Sequence, residues 1–298
     1  MRRVGYVVLG VLLCGLAGYI VLTAPRMRDA QDLAGLTGDA GRGQMVFTAA
    51  GCASCHMAPG AEGEAQLVLA GGQAFPSAFG TFLAPNISPD PQHGIGGWSL
   101  DQFAEAIRDG ISPEGGHYFP ALPYAAYSHM TGQDVTDLWA WLRTLPPSAE
   151  PSKPHEVGFP FSIRRNIGLW KLMFLRSGWV LQDAPTPELE RGRYIVEALA
   201  HCGECHTPRN PLGGLQTSKW LSGAPDPSGK GRIPNITPAA LSWSEDEIVE
   251  YLTTGFTPEF DSVGGHMAHV VDNMAKLPES DRRAVAAYLK AIPAVPSP

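Results

Sequence analysis

The pattern C-x-x-C-H occurs twice, as CASCH at residues 52–56 and CGECH at residues 202–206, and the residues around the two copies repeat as well. RGQMVFTAAGCASCH (42–56) pairs with RGRYIVEALAHCGECH (191–206), with one residue of slack. APNISPD (84–90) pairs with IPNITPA (233–239), and GWSLDQFAEAIRDGIS (97–112) with SWSEDEIVEYLTTGFT (242–257). GGH stands at 115–117 and again at 264–266, and DVTDLWAWLRTLP (134–146) pairs with DRRAVAAYLKAIP (281–293). Five ordered matches at a spacing of about 150 residues describe a duplicated domain rather than a short-period solenoid. The expected fold is therefore two similar units in tandem, each built around one motif.

Each unit reads as helices joined by loops. Residues 39–50 are amphipathic and run into the first motif. Ser99 with Gln102 three residues later has the capping-box pattern and predicts a helix from Trp98 to Ile111. Val135, Leu138, Trp139 and Leu142 recur with helical spacing before Pro146 ends the run. No stretch alternates with period two over a useful length, so the chain is expected to be all-α. The high counts of Gly (34) and Pro (27) fit short helices with long loops. The expected divisions are an anchor or uncleaved signal over 1–30, domain 1 over 38–147, a linker and bridging segment over 148–187, and domain 2 over 188–293. The linker PPSAEPSKP (146–154) is proline-rich and stiff. In 159–180, which lacks a counterpart in the repeat, Ile163, Ile167, Trp170 and Phe174 would line one helical face, with Arg164, Arg165 and Lys171 on the other. That predicts a bridging helix packed between the domains, with a docking or membrane surface as the alternative.

A C-x-x-C-H motif suits covalent haem attachment. Its two thiols reach the porphyrin vinyl groups as thioethers, and the adjacent imidazole lies under the iron. Cys52 and Cys55, with His56, form one such set, and Cys202 and Cys205, with His206, the other. A redox dithiol would need a βαβ setting. A zinc site would need four ligands together, whereas these pairs lie in separate repeats. The only other cysteine, Cys14, falls in an apolar segment, so the chain is not a disulfide scaffold. The chain is therefore expected to hold two covalently bound haem c groups. The imidazoles of His56 and His206 should each donate the second ring nitrogen to a backbone carbonyl.

The second axial ligand follows partly by elimination. After Cys55, domain 1 offers Met57 and Met130; Met57 adjoins His56 and cannot reach the opposite face, which leaves Met130, with His129 and His117 as rivals. Domain 2 offers Met267 and Met274, with His266 and His269 nearby, and spacing does not choose between the two methionines. Histidine–methionine ligation raises the reduction potential and closes the iron to substrate, which suits electron transfer.

Residues 4–24 carry no charge and follow Met1-Arg2-Arg3. A helix of that length reaches roughly 30 Å and can cross a bilayer. The arginines would stay cytoplasmic and the rest would be exported, placing a single-pass protein in the bacterial inner (cytoplasmic) membrane with its haem domains in the periplasm. A cleaved signal peptide is the competing reading, with Pro25 spoiling the cleavage site. The net charge of −7 argues against nucleic-acid binding.

Taken together, CGECHTPRN, PNITP, GWS, GGHMAHVV and AAYLKAIP resemble the cytochrome c subunits of membrane-bound bacterial alcohol and gluconate dehydrogenases and related dihaem cytochromes. The resemblance covers about residues 38–293, including FSIRRNIGLW. It implies the cytochrome c fold in each domain, with Met130 as the first domain's ligand and Met267 as the second's, Met274 in reserve. It places Asn86 and Asn235 near the haem edge. It implies a periplasmic dehydrogenase or other donor and a respiratory acceptor (an oxidase, the quinone pool or a soluble cytochrome), and an electron-transfer role rather than catalysis. Those subunits typically carry three haems, against two motifs here, which leaves the donor open. A dihaem cytochrome c peroxidase and a dihaem thiosulfate-oxidising enzyme are the alternatives. The first needs a haem that opens to peroxide, against methionine candidates in both domains. The second wants a cysteine ligand, and no exported cysteine is spare.

Overall fold

Why the chain is helical shows first at its caps and crossings. The structure, a computed structural model, describes residues 2–26, 30–227, 229 and 231–298. Met1 and residues 27–29 of the expected anchor segment lie outside the described residues, as do 228 and 230 of the expected second unit. The apolar N-terminal run forms α1 (Arg2–Leu22), long and apolar enough to cross a membrane.

The first half continues with α2 (Ala40–Ala49), whose N-cap Asp39 accepts from the Arg42 amide, and α3 (Cys52–His56), which is the motif itself. A hairpin of β1 (Ala74–Ser77) and β2 (Gly80–Leu83) follows. Next comes α4 (Leu100–Ala104), where Ser99 and Gln102 make the expected capping box, prolonged by a wider turn over Glu105–Asp109. Then come α5 (Tyr124–Tyr127) and α6 (Gly132–Leu142), the latter burying Val135, Leu138, Trp139 and Leu142 as the periodicity predicts. Strand β3 (Glu156–Val157) returns the linker to pair antiparallel with β2.

Helix α7 (Asn166–Phe174) leads to the second half: α8 (Pro187–Arg193), prolonged by a wider turn over Tyr194–Leu199, and α9 (Gly203–His206). After the two-residue ribbon of β4 (Ala224–Pro225) and β5 (Arg232–Ile233) come α10 (Glu245–Thr254), α11 (His266–Ala275) and α12 (Glu279–Ala291). Ser244 and Glu247 repeat the capping box at the start of α10.

Both halves are held by the same crossing, in which the helix entering the motif packs on the last helix. A Cβ on Gly43 of α2 would lie 1.9 Å from the Asp137 carbonyl oxygen of α6, and one on Gly192 of α8 would lie 2.0 Å from that of Ala284 in α12. Only glycine lets the two backbones approach this closely. An arginine one residue earlier clamps each crossing: Arg42 Nε donates to Asp137 at 2.7 Å, and Arg191 Nη2 to Asp281 at 2.7 Å. The apolar core runs along these crossings, through Phe47, Val135 and Leu138 in one half and Ile195, Val285 and Tyr288 in the other.

Two expectations differ from what is observed. The fold is helix-dominated, but it carries short antiparallel ribbons. Strands of two to four residues offer too short a window for alternation to be read. The bridging helix packs Ile167, Trp170 and Phe174 toward protein as expected, with Ile163 exposed, but its cations do not simply face water. Lys171 is part-buried and Arg164 exposed, yet both are tied to the backbone: Arg164 Nη1 donates to the His117 carbonyl at 2.9 Å, and Lys171 Nζ donates to the carbonyls of Asp109 (2.5 Å) and Gly110 (2.9 Å). Backbone carbonyls near the end of the α4 turn thus take donors from Lys171, since buried acceptors need donors. Leu169, Leu172 and Met173 are left exposed.

Candidate haem-attachment site

Each attachment motif begins on a left-handed residue, which turns the chain sharply from the entering helix into the short motif helix. In the first copy that residue is Gly51, with φ 63°. In the second it is His201, with φ 41°, a conformation that costs a side-chain-bearing residue energy and must be held by its surroundings. One turn of helix then places the two cysteines and the histidine of each copy.

The two histidines are oriented identically. His56 Nδ1 donates to the Pro85 carbonyl and His206 Nδ1 to the Pro234 carbonyl, both at 2.8 Å. With Nδ1 protonated, the lone pair lies on Nε2, the nitrogen free to bind iron. Burial lowers the pKa of both imidazoles and favours the neutral, ligating form, although the carbonyl bond works the other way. Burial pushes the thiols of Cys52 and Cys202 up to about 12, so these are not the low-pKa thiolates of a redox dithiol. Among the described residues no group of three or more His, Cys, Asp or Glu side chains is placed to hold a metal ion, so a shared zinc site has no ligand set. Two thiols and one oriented neutral imidazole per motif are the donor set that a covalently attached haem requires, and the residues present fit it.

The carbonyls that orient the imidazoles were not singled out in the sequence, although the repeated P-N-I-[ST]-P marks them. Asn86 and Asn235 hold these loops in place. Asn86 Nδ2 donates to the carbonyls of Ser148 and Glu150, each at 2.8 Å, and its Oδ1 accepts from the Ser88 amide at 2.9 Å. Asn235 Nδ2 donates to the Val295 carbonyl (2.8 Å) and Ser297 Oγ (3.1 Å), and its Oδ1 accepts from the Thr237 amide at 2.8 Å. In each half, one asparagine ties the imidazole-orienting loop to the segment after the last helix.

Met130 is buried at 3% exposure and directly precedes Thr131, the N-cap of α6. The matching position before the N-cap of α12 is Leu277, so the second half places its methionines differently. Met267 and Met274 both lie on α11, seven residues and so two turns apart on one face, about 10 Å along the axis. Met274 is buried at 3%, whereas Met267, in the first turn, is partly exposed and packs against the core. His117 Nε2 is taken by the Thr23 carbonyl at 2.9 Å, and the His129 ring lies 4.5 Å from that of Trp179. His266 packs against Phe75 at 5.9 Å.

The structure also brings the two motifs together. Asn273 of α11 donates from Nδ2 to Ser54 Oγ, inside the first motif, at 3.0 Å. The Ala50 carbonyl, two residues before Cys52, accepts from Tyr127 Oη at 3.1 Å and also meets a hydrogen bond from His201. The His201 ring meets that of Tyr127 edge-on at 5.6 Å. Cys205 lies close enough to Cys55 to assist burial in raising its thiol to about 11. His201, Asn273 and Tyr127 act across 77 to 219 residues of sequence, where periodicity carries no signal. For His201 alone a hint existed, a histidine where the first copy has glycine.

Residues 40–146 match the profile of the cytochrome c family. The fructose dehydrogenase cytochrome subunit of Gluconobacter japonicus is 40% identical over 260 residues, 85% of this chain and 52% of that subunit. The cytochrome c subunit of alcohol dehydrogenase (quinone) from Gluconobacter oxydans is 36% identical over 270 residues, 86% of this chain and 55% of that subunit. This chain spans about half the length of those two relatives. A diheme cytochrome c-type protein of Cereibacter sphaeroides is 56% identical over 285 residues, 96% of either chain. Identity of that extent agrees with the two oriented motifs, and the chain belongs to the family of diheme c-type cytochromes, electron-transfer proteins with covalently bound haem c.

Proposed function

We propose that this protein is a membrane-anchored dihaem cytochrome c, taking electrons from a periplasmic dehydrogenase or another donor and delivering them to the respiratory chain. The observation that carries the reading is the pairing of two equivalent CxxCH sites, alike in imidazole orientation and joined across one interface. Residues 38–147 and 188–293 are the two cytochrome c domains, with one haem c on Cys52 and Cys55 and a second on Cys202 and Cys205. His56 and Met130 would hold the iron of the first, His206 and Met267 that of the second. The resemblance favours Met267, with Met274 in reserve; burial does not choose between them, since Met130 is as buried as Met274. Haem iron so ligated supplies a reversible one-electron couple with no open coordination position.

The chain's own residues fix orientation and burial. Pro85 and Pro234 set the imidazole planes, and Asn86 and Asn235 hold those carbonyls beside the haem edge. The Ser54–Asn273 and Tyr127–Ala50–His201 contacts keep the two sites in fixed relation, which a relay needs. α1 serves as the single-pass anchor in the bacterial inner membrane, with Arg2 and Arg3 on the cytoplasmic side and the haem domains in the periplasm. The relatives named as dehydrogenase cytochrome subunits support a dehydrogenase as donor. The acceptor is an oxidase, the quinone pool or a soluble cytochrome.

The test uses the full chain isolated in detergent. The half-reduced protein is expected to leave peroxide unconsumed, and Met130→His to lower one haem's potential while the haem stays bound. Peroxide turnover contradicts the carrier reading; an unchanged potential removes Met130 as ligand.

A further inference from the structure

The bridging segment is apolar on the side away from the protein as well as on the side against it. Arg164, Arg165 and Lys171 are all hydrogen-bonded to protein, the last two part-buried, while a set of large apolar side chains is left exposed. Phe159 (84% exposed), Phe161, Ile163, Leu169, Leu172 (50%) and Met173 (56%) lie within fifteen residues of one another. On α7, positions 169, 172 and 173 have i, i+3, i+4 spacing and share one face. The opposite side is fully committed to protein. Trp170 Nε1 donates to the Leu212 carbonyl at 3.0 Å, and a Cβ on Gly168 would lie 2.6 Å from the Thr23 carbonyl oxygen.

That last contact sets the level of the segment. The C-terminal end of α1 is fastened to the start of α7: Tyr19 Oη donates to Asn166 Oδ1 at 2.8 Å, Arg165 Nε to Thr23 Oγ1 at 2.7 Å, and Arg165 Nη2 to the Ile20 carbonyl. Arg165 thereby satisfies carbonyls that the end of a helix leaves unpaired. A helix of this length spans roughly the 30 Å hydrocarbon core, so its last turn lies at the lipid–water boundary. α7 is held against that turn, with Arg26 and Arg176 exposed nearby to meet headgroups.

We infer that residues 159–173 form a second membrane contact, the apolar face of α7 and the preceding Phe159–Ile163 turn lying in the interfacial layer of the lipid that α1 crosses. Lipid is the occupant because the face is continuous with the end of the span and because the cations of α7 and its start, Arg165 and Lys171, are bonded to protein on its other side. The inference rests on α1 being a membrane anchor. Its consequence is that the domains are held at a fixed tilt over the bilayer rather than swinging on one helix.

The experiment uses the full-length holoprotein with Cys14→Ser, reconstituted in phosphatidylcholine–phosphatidylglycerol vesicles and carrying one nitroxide at a time. Leu172→Cys and Met173→Cys report on the proposed contact, Leu12→Cys on the span, and Phe260→Cys on an exposed site in the second half. Collision with dissolved oxygen is compared with collision with a water-soluble nickel chelate. The expected result is loss of chelate access with retained oxygen access at 12, 172 and 173, but not at 260. If position 12 is lipid-exposed while 172 and 173 behave like 260, the contact is wrong and the anchor stands. If 172 and 173 lose access to both agents, protein covers them and the lipid assignment is overturned. If position 12 is itself open to the chelate, the anchor reading fails and the inference falls with it.

Discussion

Replacing Asn86 tests whether the asparagine that holds the His56-orienting loop carries structural weight. The residue is 3% exposed and makes three hydrogen bonds, two donated to the carbonyls of Ser148 and Glu150 and one accepted from the Ser88 amide. Each such bond contributes on the order of 1 kcal/mol, and each partner left unpaired in a buried place adds to the loss. Asn86→Ala should therefore cost about 3 kcal/mol. At roughly 2–4 °C per kcal/mol for a unit of this size, that is a fall in Tm of about 6–12 °C. Asn86→Asp is the sharper variant. It keeps the volume and the accepting Oδ1 but turns the two donors into an oxygen facing two carbonyls, so it should cost at least as much as alanine. Asn235, whose second donor bond goes to the exposed Ser297, should lose less, about 1–2 kcal/mol. The assay is thermal unfolding of the holoprotein by far-UV circular dichroism. An Asn86→Asp protein within about 0.5 kcal/mol of the parent, the range of ordinary surface substitutions, would refute the reasoning.

Gly43→Ala and Gly192→Ala each drive a Cβ to about 2 Å from a backbone oxygen of the last helix, so each should destabilise by about 2–3 kcal/mol in denaturant titration, and alanine tolerated at either position contradicts the crossing. At His201, glycine relieves the left-handed strain, about 1 kcal/mol, while losing the Tyr127 and Ala50 contacts; alanine loses the contacts and keeps the strain. His201→Gly should therefore be the more stable of the two, by about 1 kcal/mol in the same titration, and the reverse order excludes strain at this turn. Burial works to raise the Asp137 pKa, but the Arg42 guanidinium and the Asp39 and Gln133 hydrogen bonds prevail and hold it below the usual carboxylate range. Its stabilising contribution is complete above the unfolded value near pH ~3.9 and is lost as pH falls through the lower folded value. Stability measured against pH should therefore fall less steeply in acid for Asp137→Asn, and parallel curves would contradict the pairing.

Much of the attachment site was legible because its chemistry is local. CASCH and CGECH each fit in one helical turn, the capping boxes at Ser99 and Ser244 announce their helices, and the repeated RG before each motif marks the two matching helix crossings. What escaped depends on distance in sequence. The Pro85 and Pro234 carbonyls approach the histidines from 29 and 28 residues away, and backbone carbonyls carry no side-chain signature. The Ser54–Asn273 bond spans 219 residues. The bonding of Arg164 and Lys171 to distant carbonyls escaped the amphipathic reading because no periodicity within residues 159–180 encodes where those carbonyls lie. The strands were missed for a simpler reason, being too short to alternate.

The central claim is that both motifs hold a haem closed by histidine and methionine. It is tested most directly on the purified full-length protein, by counting haems per chain from the pyridine haemochrome. On the same ferric sample, the red-region charge-transfer band of methionine-ligated iron is then measured. The account predicts two haems per chain and a band of full intensity for both, with about half of it lost in Met130→Ala and the other half in Met267→Ala. One haem per chain, or a band accounting for only one of two haems in the parent protein, contradicts it.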